Sequence, residues 1–241
     1  DRDGFRRKSG NVNVGFAPAS GHRIGVHVLE TRLNAQYDSS EFLPPTFAPD
    51  PSPDFRNHLT TRVASLDYRG TPLSAWTTTL QASRAVDDLT SGGTVQSRFV
   101  TTREQATWQN ALAVAPEQQL LVAFERQIER ANTDAFARSR ANNGVVFGYS
   151  GTVGRASLQA DVRHDDNSAY GAHTTGRTGI TFEVARGVRL RALAGTTFRA
   201  PTFNDLAFPN FGVPTIRPER GESVEAGAAW QGQDASVSVT V

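Results

Sequence analysis

The sequence predicts an all-β protein, an antiparallel up-and-down transmembrane β-barrel wall with about twelve strands present. Three observations lead there. Runs rich in Val, Thr, Leu and aromatic residues follow one another along the whole chain, with no helical periodicity between them. In the clearest runs, apolar and polar side chains alternate, as a wall with one lipid face and one wet face requires. Short turns and long polar segments also take turns between the runs, the rhythm of a barrel with short connections at one rim and long ones at the other.

The runs lie at about residues 11–17, 22–37, 58–69, 74–86, 97–114, 118–130, 143–150, 155–164, 175–184, 188–199, 222–230 and 235–241. Parallel pairing would need a crossover of about a dozen residues or more at each step, so a sequential meander is the economical topology. Short turns are expected at 18–21, 70–72, 115–117, 151–154, 185–187 and 231–233. Long polar segments are expected at about 38–57, 87–96, 131–142, 165–174 and 200–221. The second run alternates at Ile24, Val26 and Val28 and loses phase at Leu29 and Glu30, as a β-bulge or a strand leaving the bilayer would.

Later runs keep the pattern. Leu158, Ala160 and Val162 alternate with Gln159, Asp161 and Arg163, the last two facing the lumen. Ala185-Arg186-Gly187 reads as a three-residue hairpin loop with a left-handed glycine. That loop would set Val184 opposite Val188, Phe182 opposite Leu190 and Glu183 opposite Arg189. In the next strand, Val188, Leu190, Ala192, Ala194, Thr196 and Phe198 face lipid while Arg189, Arg191 and Arg199 face the lumen.

Pro201, Pro209, Pro214 and Pro218 then rule out a ladder, and Phe203, Phe208 and Phe211 give the segment apolar weight. It reads as a loop folded back on the lumen wall, with Glu219 and Glu225 pairing Arg199 or Arg217, in preference to a ligand-facing loop. Val237, Val239 and Val241 resume the alternation, and Trp76 and Trp230 lie beside short turns, where an interfacial aromatic girdle belongs.

Composition removes several function classes. Lys+Arg 25 against Asp+Glu 24, scattered along the chain, gives no nucleic-acid surface. Without cysteine there is neither a disulfide framework nor a thiolate metal site. The longest apolar run, residues 120–124, is far below the roughly 20 residues of a spanning helix. A mean hydropathy of -0.41 does not argue against a barrel, whose strands give lipid only alternate residues. Lacking methionine and a signal-peptide pattern, the chain is expected to be a piece of a longer one.

No catalytic constellation stands out. His164, Asp165 and Asp166 are consecutive and cannot all converge on one ion from a strand end. No nucleophile-elbow pattern places a Ser-His-Asp triad, so no enzyme is expected. Asp38, Glu41, Asp50 and Asp54, with Asp87 and Asp88, put carboxylates into two long connections on one rim. Calcium, which takes about six to eight oxygens, is the ion that would suit them; no cofactor is otherwise required.

Over residues 155–230 several separated pieces occur together: Leu158 to Asn167, Tyr170 to Arg177, Gly195 to Leu206, Arg217-Pro218-Glu219 and Glu225. In these pieces and their order the sequence resembles TonB-dependent outer-membrane receptors, most of all the cobalamin-receptor branch. The resemblance implies a barrel of roughly 22 strands with a plugged lumen, of which residues 1–241 would be a partial barrel domain lacking the plug and the C-terminal closing strands. It further implies a multi-pass outer-membrane receptor importing a scarce chelate, cobalamin or an iron-siderophore, energised through TonB by way of a missing N-terminal region.

Its partners would be outer-membrane lipid, the plug of the same parent chain, TonB and a small chelate. Asp161, Arg163, Arg189, Arg191, Arg199, Pro201, Glu219 and Glu225 are the motif and lumen positions, the charged ones hydrogen-bonding the plug and lining the route. Some receptors of that branch order their loops with calcium, but their aspartate pattern has no convincing copy here. Two other architectures stay open. A complete twelve-stranded barrel, porin or enzyme, would pair 11–17 with 235–241, and a soluble β-sandwich binding module would bury the apolar parity of 180–198 between two sheets.

Overall fold

The computed structural model describes residues 4–40, 42–43, 45, 48–49 and 54–241. In chain order the elements are β1 (Phe5–Ala19), β2 (His22–Gln36), β3 (Phe42–Leu43), β4 (Ala48–Pro49), β5 (Arg56–Leu73), β6 (Trp76–Gly92), β7 (Gln96–Ala115), β8 (Gln118–Thr133), β9 (Ala137–Val153), β10 (Ala156–Asn167), β11 (Gly171–Ala185), β12 (Val188–Arg199), α1 (Phe203–Ala207), β13 (Glu219–Gln231) and β14 (Ser236–Thr240). Twelve strands form one sheet in the order β1-β2-β5-β6-β7-β8-β9-β10-β11-β12-β13-β14, every pair antiparallel; β3 and β4 are a separate ribbon. The order runs open from β1 to β14, so the expected meander forms while closure of 11–17 onto 235–241 does not.

Alternation becomes two faces once the register is fixed. Leu80 sits opposite Trp108, Trp108 opposite Phe124 and Phe124 opposite Val145, a row of large apolar side chains across four strands. Trp108 and Phe124 stack at 5.7 Å. Rows like this continue to Ile180 and Leu190, which remain 47% and 46% exposed. Among the described residues no second sheet covers that face, which removes the sandwich architecture. Among the described residues the buried apolar side chains are Phe55, Ala123 and Ala131. Such a sheet draws on ladder hydrogen bonds and on lipid contact rather than on an internal core, as spanning strands must.

The short-turn rim is built from tight hairpins. Phe182 opposite Leu190 and Glu183 opposite Arg189 match the expected register, but Ala185 pairs with Val188, leaving a two-residue loop and Val184 as the extra residue of a bulge. Similar one-residue shifts precede the turns after β1, β5 and β7. Phase loss at Leu29 and Glu30 has the other cause: both ladders of β2 run through it without a shift, so the strand simply leaves the apolar band.

At the opposite rim, three segments expected as long loops are strand for most of their length. The connections shrink to residues 93–95, 134–136 and 168–170, because β6 to β11 continue past the band. Polar residues do not end a strand that is wet on both faces when cross-strand pairs hold it, as Arg103 with Glu129 at 2.8 Å and Arg98 with Asp88 at 2.7 Å do. Strands of up to 20 residues therefore exceed the roughly 9–11 that cross a bilayer.

Candidate functional site

The polar face is concave. Arg140 on β9 donates through Nη1 to the Pro201 carbonyl at 2.6 Å, reaching past β10 and β11 to the segment after β12. Such a contact needs the sheet to curl toward this face. Side chains of β7 to β12 therefore converge in a cavity of about 430 Å³ lined by Arg103, Glu125, Glu129, Arg163, Asp165 and His173, among others.

Alternation supplies its charges, since Glu125, Gln127 and Glu129 on β8 and Arg163, Asp165 and Asn167 on β10 each repeat at period two. Arg163 binds the carboxylates of both Glu125 and Asp165 at 2.7 Å. Asn142 donates at 2.5 Å to Oδ1 of the buried Asp165, the oxygen that also accepts from Arg163 Nη2. Glu129 accepts from Arg140 at 2.6 Å and from Arg103 at 2.8 Å. Opposite charges paired in this way tolerate partial burial that either would resist alone.

His173 packs against the same cluster, its Nε2 3.7 Å from Asp165. Its ring stacks on Phe198 with centroids 3.5 Å apart, so Phe198 does not face lipid as the alternation predicts. The cause is a gap in the ladder. β11 and β12 pair only as far as Arg177 and Gly195, and beyond that point Thr196 Oγ1 accepts from the Gly176 N–H at 3.0 Å.

The proline-broken segment closes over this cluster. Thr202 and Asp205 form a reciprocal capping box, with Asp205 accepting from the Thr202 N–H at 2.8 Å and the Thr202 hydroxyl accepting from the Asp205 N–H at 3.2 Å. Those two bonds fix the short α1 just after the buried Pro201. The Thr202 N–H beside Asp205, with the Thr202 hydroxyl, holds its carboxyl below the usual aspartate range. Phe203, on α1, receives the Arg140 guanidinium over its ring at 4.9 Å. One arginine thus ties backbone, ring and Glu129 together, and the segment lies folded onto the wall.

The other sequence-predicted positions distribute as follows. Asp161 accepts from Arg177 at 2.5 Å, Arg189 reaches Gln231 at 3.5 Å, Arg191 bonds Thr240, and Arg199 pairs Glu219 at 3.2 Å. Glu225 lies opposite Leu193, exposed. Arg163, Arg199 and Pro201 belong to the cluster or its cover, whereas Arg189 and Arg191 sit near the short-turn rim. Glu125, Glu129, Asn142 and His173 went unpredicted as site residues, although the period-two spacing from Glu125 to Glu129 was a usable signal. Arg140 falls within the segment expected as a loop at 131–142, which the structure places in β9.

Of the carboxylates suggested for calcium, Asp50 and Glu41 lie outside the described residues. Asp87 and Asp88 sit within β6 rather than a loop, so as strand neighbours they point to opposite faces. Asp87 accepts from Thr61 at 2.5 Å and Asp88 pairs Arg98. Asp38 is exposed. Asp54 binds Arg56 at 2.8 Å, which holds its carboxyl below the usual range. Among the described residues no group of three or more His, Asp or Glu gathers as a metal site.

Comparison with known proteins agrees with this geometry. A family model described as TonB dependent receptor-like, beta-barrel, matches residues 1–241. The vitamin B12 transporter BtuB of Photobacterium profundum is 26% identical over 231 residues, 93% of this chain and 36% of that protein. Its namesake in Vibrio vulnificus is 30% identical over 149 residues, 58% of this chain and 24% of that protein. The siderophore receptor PirA of Pseudomonas aeruginosa superposes with a TM-score of 0.83 at 13% identity, covering 98% of this chain and 45% of that structure. The hemophore receptor HasR of Serratia marcescens follows with 0.76 at 14% identity, covering 98% and 45%. The chain spans about a third or less of the B12 transporters' length. Its uncovered apolar band and charged concave face form an outer-membrane barrel wall, and the chain belongs to the TonB-dependent receptor-like β-barrel family.

Proposed function

We propose that these strands form part of the wall of a receptor that imports a scarce chelate across the outer membrane, with cobalamin as the ligand. The observation that carries the reading is the concave charged cluster of Glu125, Glu129, Arg140, Arg163 and Asp165 beneath a segment tied down through Arg140. A wall of fixed, paired charges suits reversible hydrogen bonding to a plug from the same parent chain, which must be held at rest and released on demand. Energy for that release comes, in this proposal, from TonB acting on the plug.

Cobalamin is preferred over an iron-siderophore because the sequence relatives are B12 transporters, whereas the siderophore receptors resemble the chain at 13% identity, which speaks to fold alone. The transport reading requires no resident cofactor. Calcium enters it only as an ion that carboxylates of the 37–55 connection, Asp38 and Asp54, would help to hold.

Calorimetry on the full-length protein, with cobalamin and a panel of ferric siderophores, tests the ligand. Saturable cobalamin binding is expected; binding of a ferric chelate with no response to cobalamin would transfer the protein to the iron-receptor branch. Cobalamin uptake by cells with and without TonB tests the energy source, and uptake that persists without TonB would reject it.

A further inference from the structure

The outward face of β5 to β9 departs from a plain lipid surface. Leu66, Ala82 and Ala106 form one cross-strand row and Leu80, Trp108 and Phe124 the row beside it. The small residues leave a groove of about 630 Å³ walled by the larger ones, with Arg126 at its upper end. That size is within the range of small-ligand sites, about 300–1,000 Å³.

Above the groove lie charges that a lipid tail could not solvate. Arg84 and Arg130 share a single carboxylate, Glu104, at 3.7 and 2.8 Å, and keep 64% and 47% of their side chains exposed. Arg126 has the Asn143 side-chain oxygen as its partner at 2.9 Å. Two guanidinium groups therefore share one carboxylate and a third, Arg126, is met by an amide oxygen, an excess of two positive charges on a surface that meets the headgroup layer. A second set beside it repeats the imbalance, with Arg32 and Arg62 on Glu30 at 2.6 and 2.9 Å. Both sets sit immediately beyond the apolar rows, on the side of the long connections.

We propose that this face is a binding site for a lipid with an anionic phosphate headgroup, one acyl chain lying over Ala82 and Ala106 and the phosphate resting on Arg84, Arg126 and Arg130. Charge complementarity selects the headgroup. The guanidinium fork matches phosphate oxygens, and the half-apolar surroundings strengthen the contact over its value in water. Basic residues beside an apolar surface favour anionic lipids for the same reason elsewhere in membranes. A zwitterionic lipid would bring its own cation to a patch that already has too many.

The test uses the full-length protein in detergent, with lipid retention read by native mass spectrometry. The probes are phosphatidic acid, phosphatidylcholine of the same chains, and inorganic phosphate. Phosphatidic acid is expected to bind preferentially, and R84Q/R126Q to weaken it roughly 30-fold, since each basic residue near an anionic headgroup contributes about a fivefold factor. Ala106→Phe fills the groove beside Arg126 while keeping all three arginines and is expected to weaken phosphatidic acid as well. It serves as the second reading should the double variant fail to fold. Inorganic phosphate, having no chain, should not displace the lipid. Equal retention of the two lipids, an unchanged preference in folded R84Q/R126Q, no effect of Ala106→Phe, or displacement by inorganic phosphate as effective as by phosphatidic acid would each overturn the proposal.

Discussion

Arg140 does at the residue scale what the proline-broken segment cannot do for itself. It bonds the Pro201 carbonyl and Glu129, and covers the Phe203 ring. A hydrogen bond to a charged group contributes about 1.5–3 kcal/mol, so Arg140→Ala should release residues 201–208 while Glu129 keeps Arg103. Hydrogen exchange of the α1 amides should accelerate by roughly ten- to hundredfold, with the β8 and β9 amides unchanged. Uniform acceleration through both strands would mean that Arg140 supports the sheet instead.

Asp205 gives a pH signature for the same segment. Its folded pKa lies below the ordinary value because the carboxylate accepts from the Thr202 N–H, so its contribution to α1 is complete above the normal aspartate range, near about 3.9. It is lost as pH falls through the lowered folded value. Amide exchange in α1 should therefore loosen at acid pH before the barrel strands do, and Asp205→Asn, which keeps an acceptor without a titration, should flatten that response. An acid response that survives the substitution would assign the effect elsewhere.

At the element scale, the hairpins show what turn chemistry costs when a neighbour crowds it. Gly187 adopts φ +77°, and a Cβ there would run into the Gln231 carbonyl oxygen, whereas Gly154 adopts φ +60° with nothing within 4 Å. Gly154→Ala should cost about 1–2 kcal/mol for the left-handed backbone alone, and Gly187→Ala clearly more. Denaturant unfolding of the full-length protein in detergent should rank them in that order; equal losses would show that the β11–β12 turn relaxes away from β13.

Strand existence and order were legible because Ile180, Phe182, Leu190 and Val237 repeat at period two, a signal that survives any uncertainty in the ends. Strand ends were not, since residues such as Asp88, Arg138 and Asp166 are polar on both faces and periodicity falls silent where water covers both. The site was legible in part for the same reason. Arg163, Arg199 and Pro201 stand in recognisable motifs, but Arg140, which meets Glu129 directly across the β8–β9 ladder, reaches Pro201 and Phe203 only through curvature, which brings β9 to the end of β12. Phe198 was misread because a ladder gap, not parity, sets its direction.

At the scale of the whole molecule, the sheet has two faces with solvents of their own and two edges without partners. Among the described residues β1 is paired only with β2 and β14 only with β13. The fifteen residues of β1 therefore present alternate backbone N–H and C=O groups with no ladder on the far side. In hydrocarbon each unsatisfied group costs several kcal/mol, and in water an exposed edge templates pairing with another chain. The apolar band adds a second drive toward association, since Val12, Val14 and Phe16 on that edge strand are 62%, 59% and 63% exposed. Prepared as these 241 residues alone, the chain should associate edge to edge and give polydisperse, protease-sensitive material by light scattering in detergent. A monodisperse, protease-resistant monomer would require β1 to find a partner within the chain, and would reopen the closed twelve-stranded barrel that the present strand order excludes.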